Sequence, residues 1–312
     1  MCCLLWLMSA TLLRAEEAPH RKLLCADSSK GRIAIIDASG KTAWEYKIGP
    51  LHDLQMLPNG NVLFQTNWTR LVEIDPQTNK VVWEYDCAKN NGNAGKPLEV
   101  HAFQRLENGF TMIAESGVSR IIEVDSAGKL QQEIKLSVKK SHPHTDTRLV
   151  RKTKAGTYLV CHEGEGLVRE YNAKGETVWE YPVPLFDKKP QGGHGPEGFG
   201  NKCFSAVRLE NGNTLIGTGN GHSVIEVTPQ KEIVWSLHQN DLRGIQLAWV
   251  TTLQVLPSGN IVIGNCHAGD KNPQVIEVNR EKQVVWKFHD FSRFGNAFTN
   301  TQILAVDGKE IK

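Results

Sequence analysis

None of the seven cysteines in this 312-residue sequence forms a CxxC pair, which excludes a zinc knuckle or a paired redox motif. Long apolar runs are missing as well. The one that stands out, Cys2 to Leu13, is too short to span a bilayer and is followed by Arg14-Ala15-Glu16-Glu17-Ala18. It reads as a signal peptide over residues 1–18, which makes the mature chain secreted or periplasmic, with no membrane span. Net charge is slight: a formal +2 gives no reason to expect nucleic acid or an anionic membrane as partner. Extended helical periodicity is absent, so strands and turns are the material of the fold. The segment Gly192-Gly193-His194-Gly195 lacks the preceding strand and following helix of a phosphate-cradling loop, and no nucleotide role is assigned to it.

What is present is a repeat. The sharpest copy reads LHDLQMLPNGNVLFQTNWTRLVEIDPQTNKVVWEY, from Leu51 to Tyr85. Its landmarks return as Gly60, Gly109, Gly156, Gly212 and Gly259, and as Glu73, Glu123, Glu170, Glu226 and Glu277. Successive glycines lie 49, 47, 56 and 47 residues apart, the period of a propeller blade rather than of a shorter solenoid unit. Each copy divides into four strands, here His52–Leu57, Val62–Thr66, Leu71–Asp75 and Lys80–Tyr85. Trp44, Trp83, Trp179, Trp235 and Trp286 share one place in the fourth strand, where a large ring seals neighbouring blades. Copy three has Gln132 there, so a weaker seal is expected.

The first copy starts at its second strand. Its missing inner strand returns at the other end, where Phe298 to Leu304 matches the inner strands LHDLQML and WVTTLQVL. The expected fold is therefore all-β: a six-bladed β-propeller with four-stranded blades over residues 19–312, closed by the C-terminal strand completing the first blade. A monomer is expected.

This topology gathers chemistry at one mouth of the central channel. The starts of the inner strands bring His52 and Asp53, His101, then His144, Asp146 and Arg148, with Trp249, Thr251, Thr299 and Asn300. The turns between second and third strands add Trp68, His162 with Glu163, His222 and His267. Two long links, Asp86 to Glu99 and Pro184 to Lys202, overhang the same mouth, and the second carries His194 as a candidate lid. Polar residues line any propeller channel, so a single histidine there has a structural role by default. The convergence of His, Asp, Arg and Trp from distant parts of the chain points to a ligand pocket. Imidazoles of His52, His101 and His144, with His162 or His222, are also a possible set for a divalent metal.

The five cysteines after residue 18 are expected to be buried small side chains, although export would permit a disulfide between Cys25 and Cys266 of adjacent blades. Asn67-Trp68-Thr69 is an N-glycosylation sequon.

The paired phrases HDLQMLPNGNVL and VEIDPQTNKVVWEY, with the variants FSAVRLENGNTLI and IEVTPQKEIVWSL, resemble the arylsulfotransferase family and the wider group of pyrroloquinoline-quinone-like propellers. The resemblance covers the chain after residue 20. It implies a propeller fold and, by position, a sulfuryl-accepting channel histidine among His52, His101 and His144, with Arg148 neutralising sulfate oxygens. Quinone enzymes of the group have eight blades and an adjacent cysteine pair; the chain has neither, so no quinone is expected. Three readings stay open: a binding or scaffold propeller holding a small molecule, glycan or protein; a sulfuryl transferase or another His-dependent lyase or hydrolase; and a metal site that serves either.

Overall fold

The computed structural model describes residues 19–311; the expected leader lies outside them. Six antiparallel sheets surround a central channel. Five come from contiguous segments. Blade two, for example, runs Leu54–Met56, Val62–Gln65, Arg70–Asp75 and Lys80–Asp86 from the channel outward. Blade one is composite: Phe298–Val306 pairs with Arg21–Asp27, followed by Arg32–Ile36 and Thr42–Lys47. The two ends of the chain meet there, with the His20 amide donating to Asp307 Oδ1 at 2.8 Å and the Asp307 amide to the His20 carbonyl at 3.0 Å. A two-residue strand, Lys309–Glu310, extends this sheet beyond the expected four.

Local chemistry sets the blade hairpins. Gly60 has φ +85° and closes its turn through its amide on the Leu57 carbonyl, 2.9 Å away. Nothing lies within 4 Å of where a Cβ would stand, so the left-handed backbone rather than crowding demands glycine. The four equivalent glycines adopt the same φ to within a few degrees, +82° to +86°.

The repeated glutamates hold blade to blade. Each third-strand Glu reaches a cation of the next blade: Glu73 to Arg105, Glu123 to Lys152, Glu170 to Arg208, Glu226 to Arg280 and Glu277 to Arg21. All five carboxylates are largely buried, where an unpaired charge would be costly. Blade one departs from this scheme. In the register where Glu73 faces Trp83, Ile35 faces Trp44, and Ile35 shares an apolar cluster with Met56 of blade two.

The outer tryptophans dock on the same seams. Trp83, Trp179 and Trp235 donate Nε1 to carbonyls of Ser126, Pro229 and Arg280 in the following blade, and Trp44 to Asn79 Oδ1. Gln132 makes the equivalent bond, its amide donating to the Ala173 carbonyl at 3.2 Å. The volume it leaves is filled from the other side by Tyr158, where the corresponding second-strand residues are Val62, Thr111, Thr214 and Ile261. The Tyr158 hydroxyl donates to Glu123 at 2.6 Å. The third seam is thus rebuilt from both sides, not simply thinner as Gln132 alone suggests.

All five cysteines among the described residues are free and buried. The Cys25 to Cys266 disulfide is not formed. Cys25 packs in the seam between blades one and six, and the Cys266 thiol instead faces the Asn296 carbonyl at 3.7 Å.

Candidate functional site

The inner strands start at one mouth of the channel, and the site is built where their first residues meet the loops above. Three imidazoles from blades two, three and four stand together: His52 and His101 are tilted at 33° with centroids 4.8 Å apart, and His101 and His144 meet edge to face at 5.2 Å. The Trp68 ring packs edge-on against all three at 5.0, 5.2 and 5.5 Å, which fixes their orientation. Phe204 closes the other side of His52 at 5.5 Å.

Hydrogen bonds order this group. His144 Nδ1 lies 2.7 Å from Glu99 Oε2, and His101 Nε2 lies 3.2 Å from the same oxygen and 3.1 Å from the Pro143 carbonyl. His52 Nδ1 meets His101 Nδ1 at 2.8 Å. Glu99, His101 and His144 each offer a ligand atom, all within 4.8 Å of one another, and this triad can coordinate a divalent metal. A tetrahedral zinc ion separates its ligand atoms by roughly 3.3 Å, so small side-chain shifts suffice.

Burial lowers the imidazole basicities. His52 is held well below the usual histidine range by burial and by the charges of Arg148 and the other imidazoles, and His101 is lowered to about 4 chiefly by burial. Burial opposes ionisation of Glu99, but the hydrogen bonds and charges of His101 and His144 outweigh it and bring the carboxyl down to about 2. At neutral pH the cluster is therefore an ionised carboxylate beside neutral His52 and His101, as metal ligation requires.

Next to the cluster lies a cavity of about 220 Å³. His52, His194, Lys202, Trp249, Thr251 and His267 are among its walls. His194, from the long Pro184 to Lys202 link, stacks on Trp249 at 5.2 Å and 19°, so the link roofs the cavity. The Thr251 and Thr299 hydroxyls are buried in its wall and have no protein partner. Arg148 also lines it, buried and ion-paired to Glu163. Burial lowers the Arg148 guanidinium and raises the Glu163 carboxyl, despite their pairing.

Several residues expected at the mouth are engaged elsewhere. Asp53 takes both terminal nitrogens of Arg151 at 2.7 and 2.8 Å and the Phe103 amide at 3.1 Å, deeper in the channel. The Asp146 carboxylate clamps its link to the neighbouring turn of blade three, accepting from Ser119 and Ser141 hydroxyls at 2.8 Å each and from the Gly117 amide at 2.9 Å. His162 is buried between the Asp146 carbonyl and the Tyr171 hydroxyl at 2.7 and 2.9 Å. His222 ties the Ala248 carbonyl, 2.7 Å away, to that of Gly198. Neither His162 nor His222 joins the metal-capable group, which takes a carboxylate instead. In the sequence Glu99 reads as the end of a link and not as a member of the site. Its signal was the alternation Glu99-Val100-His101, which on a strand points both side chains the same way.

The profile of the family described as outer membrane protein assembly factor BamB, a set of pyrroloquinoline-quinone-like repeats, matches residues 29–288. The chain belongs to this family. Its membership accounts for the propeller and the blade repeat. No curated protein matches the chain by sequence. Among solved structures, a protein of unknown function from Bacteroides caccae aligns with TM-score 0.75 at 24% identity, over 90% of this chain and 98% of its own. A streptogramin B lyase aligns at 0.58 and 12% identity, over 89% and 85%. A catalytically inactive histidine-to-alanine variant of virginiamycin B lyase from Staphylococcus aureus, bound to quinupristin, also aligns at 0.58 and 12%, over 90% and 88%. At these identities the likeness is one of fold.

Proposed function

We propose that the chain is a binding propeller whose channel mouth holds a divalent metal on Glu99, His101 and His144 and a small polar ligand in the adjoining cavity. The observation that carries this is the convergence of three ligand atoms within 4.8 Å beside a cavity. The partnerless Thr251 and Thr299 hydroxyls support a polar occupant, because buried hydroxyls are normally satisfied. A volume near 220 Å³ suits a ligand smaller than most drug-sized molecules. Export through the residue 1–18 leader places this binding in a secreted or periplasmic setting, and the propeller works as a monomer.

Equilibrium dialysis of untagged protein against zinc, manganese and magnesium, with metal analysis, tests the reading. One metal per chain, lost in Glu99→Gln and His144→Ala, is the expected result. No stoichiometric binding of any of the three would sink it.

A second reading, catalysis, rests on His52. Its Nε2 has no hydrogen bond while its ring lines the cavity, the arrangement of a base or nucleophile. Similar folds include a lyase described as catalytically inactive when one histidine is replaced by alanine, and the arylsulfotransferase resemblance implies a sulfuryl-accepting histidine among His52, His101 and His144. Turnover of an aryl sulfate or of a streptogramin B that disappears in His52→Ala would favour it; wild-type protein inert to both would count against it.

A further inference from the structure

We infer that the central channel has a second, metal-independent site for a small organic carboxylate, built on a belt of glutamine amides further along the inner strands. This site shares no residue with the metal-capable triad or with the first cavity.

Four blades meet at Asp53. Its carboxylate takes Arg151 of blade four, the Phe103 amide of blade three and, at 3.1 Å, the Asn300 side-chain amide of blade one. Past this junction lies a cavity of about 210 Å³, walled in part by Gln55, Gln104, Arg151, Gln254 and Gln302. Asp53 is fully buried and is not part of that wall, whereas the Arg151 side chain is, with 34% exposure. The cationic partner of the pair is thus the one that borders the cavity.

One position of the repeat supplies the glutamines. Gln302, Gln55, Gln104 and Gln254 hold it in blades one, two, three and six, and each Oε1 accepts a backbone amide of the next inner strand: Met56 at 2.8 Å, Arg105 at 2.8 Å, Lys152 at 2.9 Å and Ile303 at 2.7 Å. A backbone N–H can only donate, so the oxygen of each side-chain amide is the occupied end and Nε2 is the other. Gln254 Nε2 donates to the Ile303 carbonyl at 3.1 Å. Among the described residues the Nε2 groups of Gln55, Gln104 and Gln302 have no protein acceptor, and all three side chains are partly exposed along the cavity. The Asn300 oxygen and the Thr252 hydroxyl are already bonded to each other and to the Thr301 amide. The wall is therefore rich in N–H donors and poor in free acceptors. Such a wall selects a ligand that only accepts, as an ionised carboxylate does. Leu54, Phe103, Leu149 and Leu253 make up its apolar part, which suits a short carbon chain over an inorganic ion.

Titrating nitrogen-15-labelled protein with sodium butyrate in the presence of EDTA tests this without any contribution from a metal. The side-chain amide signals of Gln55, Gln104 and Gln302, assigned through single substitutions, should shift and saturate. Butyramide, which has the same chain but no charge, should leave them in place. Gln55→Glu and Gln104→Glu each keep an oxygen for the next blade's amide and put a second oxygen where the free N–H group was. Either should weaken butyrate on the order of tenfold or more while the circular dichroism stays native. Wild-type glutamine signals that ignore butyrate would overturn the site, whatever the variants do. Shifts confined to the Trp249 indole and the Lys202 amide would put the ligand in the first cavity and overturn it equally. An equal response to butyramide would overturn the carboxylate assignment.

Discussion

Replacing Glu73 by Ile should destabilise the propeller, and adding Arg105→Met should restore most of the loss. Glu73 accepts hydrogen bonds from Asn59 Nδ2 at 3.2 Å, Asn61 Nδ2 at 2.7 Å and Arg105 Nη2 at 2.9 Å. Its side chain is 7% exposed and that of Arg105 18%, with the guanidinium 5.0 Å over the Trp83 ring. Removing one partner of a fully buried pair costs about 3–5 kcal/mol; water can reach Arg105 in part, which lowers the expectation for Glu73→Ile to about 2–4 kcal/mol. Arg105→Met alone should cost about 2–3 kcal/mol, because the two asparagines still serve the carboxylate. The double variant copies the pairing of Ile35 with Met56 that the protein already uses between blades one and two, and should fall within about 1 kcal/mol of wild type. Urea unfolding of all four proteins gives the coupling energy, which these figures put at about 3–7 kcal/mol in favour of the double variant. If the two single losses simply add, the carboxylates are not latches between blades and their recurrence has another cause.

Four shorter expectations follow from other parts of the molecule. Burial lowers His162 to about 4, below its value in the unfolded chain, so the unfolded state binds the extra proton; stability from this group is complete above about pH 6.5 and is lost as pH falls toward 4, by about 3 kcal/mol, which urea midpoints at pH 7 and pH 5 will begin to show. A midpoint that does not move with pH in wild type but does in His162→Gln would reverse that assignment. Glu99→Gln should weaken metal binding by about 10–100-fold or more while leaving the unfolding midpoint nearly unchanged, since the side chain is 21% exposed and joins no latch. Gln132→Trp should cost about 1–3 kcal/mol by overpacking against Tyr158, and Tyr158→Thr in the same chain should relieve it, as calorimetry can measure. In a chain starting at residue 19, the five buried thiols should resist a thiol reagent until the protein unfolds; reaction of any in the native state would contradict their burial.

Most of the fold was legible in the sequence because a blade is a local object. Turn glycines, the strand alternation and the recurring Glu and Trp all act within about fifty residues, and a repeat shows them several times over. The orphan strand at Phe298 was legible for the same reason, since its motif matched inner strands that a first blade lacked. The candidate site was only half legible. Period and topology brought His52, His101 and His144 to one mouth, together with Trp68, Arg148, His194, Trp249 and His267. They did not say where each polar group would turn.

That choice belongs to tertiary structure. Asp53 and Asp146 stand just before the inner strands of blades two and four, but Arg151 captures one carboxylate and an amide and a hydroxyl of the Gly117–Ser119 turn capture the other. His162 and His222 find carbonyl partners and become struts. Glu99, outwardly the end of a link, becomes the carboxylate of the cluster because His101 and His144 close on it from two blades. A repeat fixes backbone geometry through short-range preferences that recur in every copy. A buried side chain answers to whichever donor or acceptor a distant blade brings within about 3 Å, and that neighbour is set only when the ring closes.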